Sequence, residues 1–213
     1  MRIDVFTLVP HAFAWLTEQR PVAAVLGTEL ELRLFNYRDT TPLRAGQVDD
    51  EPYGGGSGMV LRVDVVAAAL DAVYGDALPR RVVALSPQGR GLTQAIVEGL
   101  AAEDEVTFLS ARFEGFDERI VEHLATEAVS IGPYVLSNGD LPAMVLLDAV
   151  ARRLPGALAE GSGELESFSE ELGGGLEYPH YTRPAEFRGW NVPDVLLSGD
   201  HGKIDAWRRE HVR

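Results

Sequence analysis

The 213-residue sequence contains no cysteine, and this absence excludes disulfide bonds and thiolate metal sites. It also lacks any apolar run of about 18 residues, the length needed to span a bilayer. The first ten residues, MRIDVFTLVP, are too short and too soon interrupted for a signal peptide. We therefore expect a soluble protein of the cytoplasm that has no membrane partner.

Positive charge is scarce, because 19 lysine and arginine residues stand against 33 aspartate and glutamate residues, for a net charge of −14. That balance argues against non-specific binding of nucleic acid. The cations are nonetheless almost all arginine and fall in small groups such as Arg152 with Arg153 and Arg208 with Arg209. Because salt confines each charge to about 8 Å, an acidic protein can still present a local phosphate-binding face.

Short apolar strands alternate with helical patterns through most of the chain. Strands are predicted for RIDVFTLV, LELRLFNY, RRVVALS, EVTFLSA and AVSIGPYVL, and helices for HAFAWLTEQ, RVDVVAAALDAVYG, LTQAIVEGLAAE, RIVEHLATE and LPAMVLLDAVARRL. This alternation is typical of an α/β fold with a mainly parallel sheet.

The composition changes between Gly156 and about Tyr178, where glycine, serine and glutamate dominate and little could be buried. We interpret this stretch as a mobile linker. Beyond it, VLLSG resembles a strand, and a terminal helix is predicted to begin near Asp200. The predicted organisation is a catalytic domain over 1–158, a linker over 159–178 and a C-terminal domain over 179–213.

Three polar, glycine-containing turns each follow a short buried strand, in ALSPQGR, LSARFEGFDERI and SIGPYVLSNGDLPAM. In open parallel sheets, ligands bind at the carboxyl ends of the strands, so three such turns indicate a ligand pocket. The third turn keeps apolar residues between its turn residues, as a buried loop does. Its backbone groups then need partners, and a ligand with several polar edges could supply them.

Other patterns point to no further chemistry. The segment EPYGGGSGMV lacks the Gly-Lys-Ser/Thr ending of a P-loop, and alone it favours a flexible loop over a ligand site. The five histidines are scattered and indicate no metal site. No Gly-x-Ser-x-Gly motif is present, so a serine hydrolase lacks its nucleophile.

Five segments in order resemble the bacterial tRNA (guanine-N1)-methyltransferases along the whole chain: DDEPYGGGSGMV, LSPQGRGL, RFEGFDERI, SIGPYVLSNGDLPAMVLLDAVARRLPG and YPHYTRPAEFRGWNVPDVLLSGDHGKIDAWRRE. The resemblance implies an enzyme that uses S-adenosyl-L-methionine (SAM) to methylate N1 of guanosine at position 37 of tRNA, next to the anticodon. It also implies the SPOUT architecture, a mostly parallel sheet with a deep trefoil knot and a small helical C-terminal domain. The family works as a homodimer with the active site between subunits.

The same resemblance assigns SAM to the loops of the knot. The residues implied to bind it are Leu85, Ser86, Pro87, Gln88, Gly89, Phe113, Glu114, Gly115, Ser130, Ile131, Gly132, Tyr134, Val135, Leu136, Asn138, Gly139 and Pro142. Their turn residues let the backbone approach the ligand closely, and their apolar residues enclose the adenine.

Catalysis needs a base, because N1 of guanine carries a proton at neutral pH. As this proton leaves, negative charge moves toward O6. The family places an aspartate at the head of an Asp-Ser-Phe triplet, where this sequence has Glu166. Glu177, or Glu170 with Glu171, could share or replace this role. The resemblance implies that Arg152 stabilises the charge at O6. The residues expected to contact the tRNA are Asp50, Tyr53, Glu177, His180 and Arg183.

The sequence departs from the family pattern in several places. ARFEG replaces Gly-Arg-Tyr-Glu-Gly, NGD replaces Gly-Gly-Glu, and the C-terminal domain ends earlier than in the family. A magnesium requirement is implied by the family alone. Two alternatives stay open, a knotted methyltransferase with another RNA target and a SAM-binding module without turnover.

Overall fold

The computed structural model describes residues 1–159 and 166–213. The chain forms two compact units, Met1–Leu158 and Ala159–Arg213, and each is described by itself. Residues 160–165, which belong to the predicted linker, lie outside the described residues. Within the described ranges, every helix is too short or too polar to cross a lipid bilayer.

The first unit has a parallel sheet with helices between its strands. Its strands are β1 (Arg2–Thr7), β2 (Glu31–Asn36), β3 (Asp49–Asp50), β4 (Val60–Leu61), β5 (Val82–Gly91), β6 (Glu105–Ser110) and β7 (Glu127–Ser130). Its α-helices are α1 (Ala14–Thr17), α2 (Val22–Val25), α3 (Tyr37–Thr40), α4 (Val63–Tyr74), α5 (Gln94–Ala101), α6 (Glu118–His123) and α7 (Asp140–Ala151), with short 3₁₀ turns at Pro10–Phe13 and Arg44–Gly46. Five strands pair in parallel in the order β2-β1-β6-β5-β7, which confirms the predicted α/β fold with a parallel sheet.

Both faces of the sheet are covered, as is usual for parallel strands. Alternate residues of β1 point to opposite sides, so that Ile3 and Val5 join one buried cluster with α5 and α7, whereas Phe6 joins a second cluster with α4. Each fully buried aliphatic or aromatic side chain of this kind contributes about 1.5–3 kcal/mol relative to exposure. The two clusters fix the sheet between layers of helices.

The helix ends follow from local sequence. Thr93 Oγ1 accepts a hydrogen bond from Ile96 N at 3.4 Å at the start of α5, and Asp117 caps α6 through Arg119 N at 3.0 Å. Helix α4 ends where Gly75 adopts a positive φ of 61°. The predicted strand AVSIGPYVL was wrong in its second half, because β7 ends at Ser130 and Pro133 cannot donate to a strand ladder.

A buried polar network lies on the same side of the sheet as α4. The fully buried Asp4 accepts two hydrogen bonds from Arg33, at 2.7 and 2.6 Å. Tyr74 Oη donates to Asp4 Oδ2 at 2.5 Å and lies 2.7 Å from Thr107 Oγ1. Because the charge of Asp4 is paired and hydrogen-bonded, its burial is tolerated.

The second unit contains a hairpin and two α-helices in the described residues. These are β8 (Glu186–Phe187), β9 (Trp190–Asn191), α8 (Asp194–Leu197) and α9 (His201–Glu210), with a 3₁₀ turn at Glu170–Leu172. The terminal helix is confirmed, and the Asp200 side chain caps it by accepting from Lys203 N at 3.2 Å. The strand predicted for VLLSG was wrong, because Val195, Leu196 and Leu197 lie in helix α8, whose start is favoured by Pro193 and Asp194.

Candidate functional site

A pocket of about 220 Å³ opens at the carboxyl ends of β6 and β7, beside residues 85–88 in the middle of β5. Three loops form its walls, and they are the three turns that the sequence indicated: 86–88, 111–116 and 131–139. Their convergence at one edge of the sheet follows from the parallel pairing of the three strands. The sequence prediction that these turns meet is therefore confirmed.

Every residue predicted to bind SAM lines this pocket except Gly89. The lining also includes residues that the sequence did not single out: Ala111, Arg112, Phe116, Glu118, Val121, Val129 and Ser137. Ala111, Arg112 and Phe116 flank predicted residues in the same loop, so their place could have been inferred. Glu118 and Val121 belong to α6, and only the fold brings them to the pocket.

Strand β5 breaks its register at the pocket. Leu85 and Arg90 both align with Val129 of β7, so the four residues between them leave the sheet as a bulge. A Cβ atom on Gly89 would lie 2.4 Å from Val129 N and 2.5 Å from the carbonyl carbon of Ala128. Because Gly89 has no side chain, the end of the bulge can pass close to the backbone of β7. Gly89 shapes the pocket in this way although it does not line it.

The second wall is attached to the glycine-rich segment 51–60. Glu114 N donates to Met59 O at 2.9 Å, and Leu61 N donates to Gly115 O at 3.0 Å. A Cβ atom on Gly58 would lie 2.4 Å from Glu114 Oε1. The segment 51–60, for which the sequence favoured a flexible loop, thus packs beside the second pocket wall. The sequence motif did not predict this position.

Several polar groups of the third wall are hydrogen-bonded within the wall or to the second wall. Ser130 Oγ donates to Gly132 O at 3.0 Å, Tyr134 Oη donates to Ile131 O at 3.2 Å, and Gly139 N donates to Ala111 O at 2.8 Å. The expectation of a buried loop was wrong for its middle. Tyr134, Val135 and Leu136 are 53%, 86% and 37% exposed, since they stand at the rim of an open pocket.

Arg152 lies directly after α7, and its backbone N donates to Asp148 O at 3.1 Å. Burial raises the pKa of the nearby Asp148 carboxyl group, and the charge of Arg152 partly opposes this shift. Arg152 is thus a cation held at the end of the helix that begins at the pocket.

The predicted base and several predicted tRNA contacts belong to the second unit. Ser167 Oγ accepts from Glu177 N at 3.0 Å, and His180 Nε2 lies 3.2 Å from Glu177 Oε1. Glu166 immediately precedes Ser167, so it lies near this group, whereas Arg183 is exposed three residues beyond His180. The fold therefore gathers Glu166, Glu177 and His180 in one region of the second unit.

The remaining predicted contacts lie in the first unit. Asp50 forms an ion pair with Arg62 at 2.8 Å, and Tyr53 is fully exposed. Neither residue lines the pocket. Among residues 1–159 and 166–213, no three histidine, aspartate or glutamate side chains are grouped as a metal site would require.

Comparison with known proteins identifies the family. The whole chain, residues 1–213, matches the family described as "tRNA (Guanine-1)-methyltransferase TrmD". The chain belongs to this family.

Individual relatives agree with the family match. A "tRNA (guanine-N(1)-)-methyltransferase" of Brevibacillus brevis is 48% identical, over 100% of this chain and 87% of the relative. Proteins of the same name from Dehalococcoides mccartyi and Bacillus cereus are 45% and 46% identical, over 99% of this chain and 85% and 86% of the relatives. The resemblance seen in the motifs is therefore confirmed over the full chain.

Proposed function

We propose that this protein is a SAM-dependent methyltransferase that modifies N1 of guanosine at position 37 of tRNA, in the cytoplasm. The observation that carries the proposal is a pocket built by three loops of the parallel sheet in a chain of the tRNA (guanine-1)-methyltransferase family. The relatives bear the name of this activity over nearly the whole of this chain.

The pocket suits a ligand with an apolar ring and several polar edges. Its walls combine apolar residues such as Leu85, Ile131 and Leu136 with the polar and glycine residues of the turns. We propose that the apolar residues enclose the adenine and that the backbone groups hydrogen-bond the adenine and methionine parts. SAM supplies an electrophilic methyl group when it is bound.

The proposed mechanism assigns proton and charge to two residues. Glu166 accepts the N1 proton of guanine, because a carboxylate can act as a base at neutral pH. Arg152 stabilises the negative charge that develops at O6, since a guanidinium presents several donors in a fixed plane. Glu177, which already contacts Ser167 and His180, positions the segment that carries Glu166. No step is assigned to magnesium.

We propose that the active form is a homodimer with a trefoil knot in each subunit, in which one subunit's pocket receives the partner's second unit. The support is an exposed apolar stripe, Leu141 and Val145 one turn apart on α7, at 57% and 43% exposure, with Val135 in the preceding loop. Such a stripe on a helix next to the pocket suits a symmetric interface.

Val145→Glu is expected to convert the dimer into a monomer and to abolish methylation, because a charge in a buried apolar interface is not compensated. Analytical ultracentrifugation measures the mass, and an activity assay the turnover. Leu78→Glu, at another exposed apolar residue of the first unit, is the matched control. A wild-type chain that is active as a monomer contradicts the dimer.

The second unit offers a surface on which RNA could bind. Phe187 and Trp190 of the hairpin are exposed, and their ring centres are 5.9 Å apart. The Arg188 guanidinium lies 5.1 Å from the Phe187 ring centre. Exposed aromatic rings with arginine beside them can stack bases and pair with phosphates. We propose that this hairpin surface contacts tRNA together with Arg183.

Trp190→Ala is expected to raise the KM for tRNA about tenfold, since loss of stacking on one base costs about 1–3 kcal/mol. The Kd for SAM is expected to stay unchanged, because Trp190 does not line the pocket. Trp15→Ala removes a comparably exposed tryptophan from the first unit and serves as the control. Equal tRNA kinetics for Trp190→Ala and wild type would refute the assignment.

The activity is tested by incubating the chain with SAM, magnesium and an unmodified tRNA that has guanosine at positions 36 and 37. Digestion of the RNA and mass spectrometry of the nucleosides detect 1-methylguanosine. Its formation supports the proposal. A methylated ribose or a different methylated base would instead indicate another RNA target, and SAM binding without any product would indicate a binding module.

A further inference from the structure

One carboxyl group links the ends of two strands beneath the pocket. Asp140, the first residue of α7, is only 3% exposed. Thr7 Oγ1 donates to Asp140 Oδ1 at 2.5 Å, and Ser110 Oγ donates to the same oxygen at 2.7 Å. Because Thr7 ends β1 and Ser110 ends β6, Asp140 joins chain segments that are 133 and 30 residues away in sequence.

The residues on either side of this junction belong to the pocket walls. Asn138 Oδ1 accepts from Asp140 N at 2.9 Å, and Gly139 N donates to Ala111 O at 2.8 Å. A Cβ atom on Gly139 would lie 3.0 Å from Ser110 Cα, so the two backbones are in close contact there. The second and third walls of the pocket therefore meet at Asp140.

A carboxyl group at this place is costly for the fold. Asp140 Oδ2 is buried and has no hydrogen-bond partner among the described residues. A buried polar atom without a partner destabilises a protein, and the N-terminus of α7 offsets only part of that cost. Since an apolar residue could begin the helix without this cost, the presence of Asp140 calls for a role in the site.

We propose that Asp140 is a positioning residue for SAM, which fixes the second and third pocket walls relative to each other through Thr7 and Ser110. The inference rests on the proposed function, because it takes SAM as the ligand of the pocket. Asp140 itself does not line the pocket, so its effect on SAM passes through the loops that it holds.

Isothermal titration of the full chain with SAM tests this role. Asp140→Ala is expected to raise the Kd for SAM about tenfold or more, in line with the loss of hydrogen bonds to a carboxyl group. Asp140→Asn keeps an oxygen where Thr7 and Ser110 donate, and is expected to restore most of the affinity. Where kinetics are measured, the KM for SAM rises and kcat at saturating SAM changes little.

A matched control separates positioning from general loss of stability. Tyr74→Phe removes two hydroxyl contacts of a buried network, to Asp4 and Thr107, and none of these residues lines the pocket. It is expected to lower the melting temperature while leaving the Kd for SAM unchanged. An increase in Kd for Tyr74→Phe equal to that for Asp140→Ala would overturn the positioning role.

Ser110→Ala keeps the test decisive if Asp140→Ala fails to fold. It is expected to weaken SAM binding by itself, and by a similar factor in the Asp140→Asn background, because that variant keeps the oxygen to which Ser110 donates. Wild-type affinity in Ser110→Ala, both alone and in the Asp140→Asn background, overturns the inference. A wild-type chain that binds no SAM overturns the proposed function as well.

Discussion

Glu166→Gln lowers kcat for methylation of tRNA by about 100-fold or more, because general-base catalysis contributes about 10²–10⁴. Glutamine is nearly isosteric with glutamate but cannot accept the N1 proton of guanine. The Kd for SAM and the KM for tRNA are expected to change little. Single-turnover kinetics with excess enzyme measure the chemical step apart from product release.

Two further variants make this result specific. Glu210→Gln removes an exposed carboxylate of the same unit, at the end of α9, and is expected to keep wild-type kcat. Glu177→Gln tests the rival base, and we expect a smaller loss than for Glu166→Gln. If Glu166→Gln retains kcat while Glu177→Gln loses it, the base is Glu177 and the assignment of Glu166 is wrong.

Gly89→Ala raises the Kd for SAM by about 10- to 100-fold, since forcing extra atoms into a packed site costs about 1–3 kcal/mol. The new methyl group would lie 2.4 Å from the backbone nitrogen of Val129, so the bulge over 86–89 has to move. That bulge carries Ser86, Pro87 and Gln88, which form the first pocket wall. The melting temperature is expected to fall as well.

Gly91→Ala is the matched control for this change. Gly91 lies two residues further along β5, and a Cβ atom there would meet no atom within 4 Å. Titration with SAM is expected to give the wild-type Kd for Gly91→Ala. Equal affinities for Gly89→Ala and wild type would show that the close passage of the bulge along β7 does not shape the pocket.

The sequence predicted most of the first unit because its elements carry strong local signals. Strand β6 and helix α4 were predicted from their apolar periodicity and from the residues at their ends, Ser110 for the strand and Gly75 for the helix. The hairpin β8–β9 escaped prediction since its strands have two residues each, and its turn residues Arg188 and Gly189 adopt positive φ of 54° and 84°. A non-glycine residue in that conformation is uncommon.

The loops of the candidate site could be predicted from the sequence, but the contacts that hold these loops in place could not. The bulge of β5 and the turns after β6 and β7 each contain glycine, and parallel pairing brings them together. By contrast, the contact of Thr7 with Asp140 spans 133 residues, and no local pattern encodes it. The register break between Leu85 and Arg90 could not be predicted from the sequence either, because it depends on which residue of β7 pairs with Leu85 and with Arg90.

The most direct measurement follows a labelled methyl group from SAM into two tRNAs that differ only at position 37, with guanosine in one and adenosine in the other. We predict that label enters the first tRNA alone, that it is recovered as 1-methylguanosine at that position, and that Glu166→Gln slows the transfer by about 100-fold or more. Equal labelling of both tRNAs, or label at any other nucleotide, would contradict it.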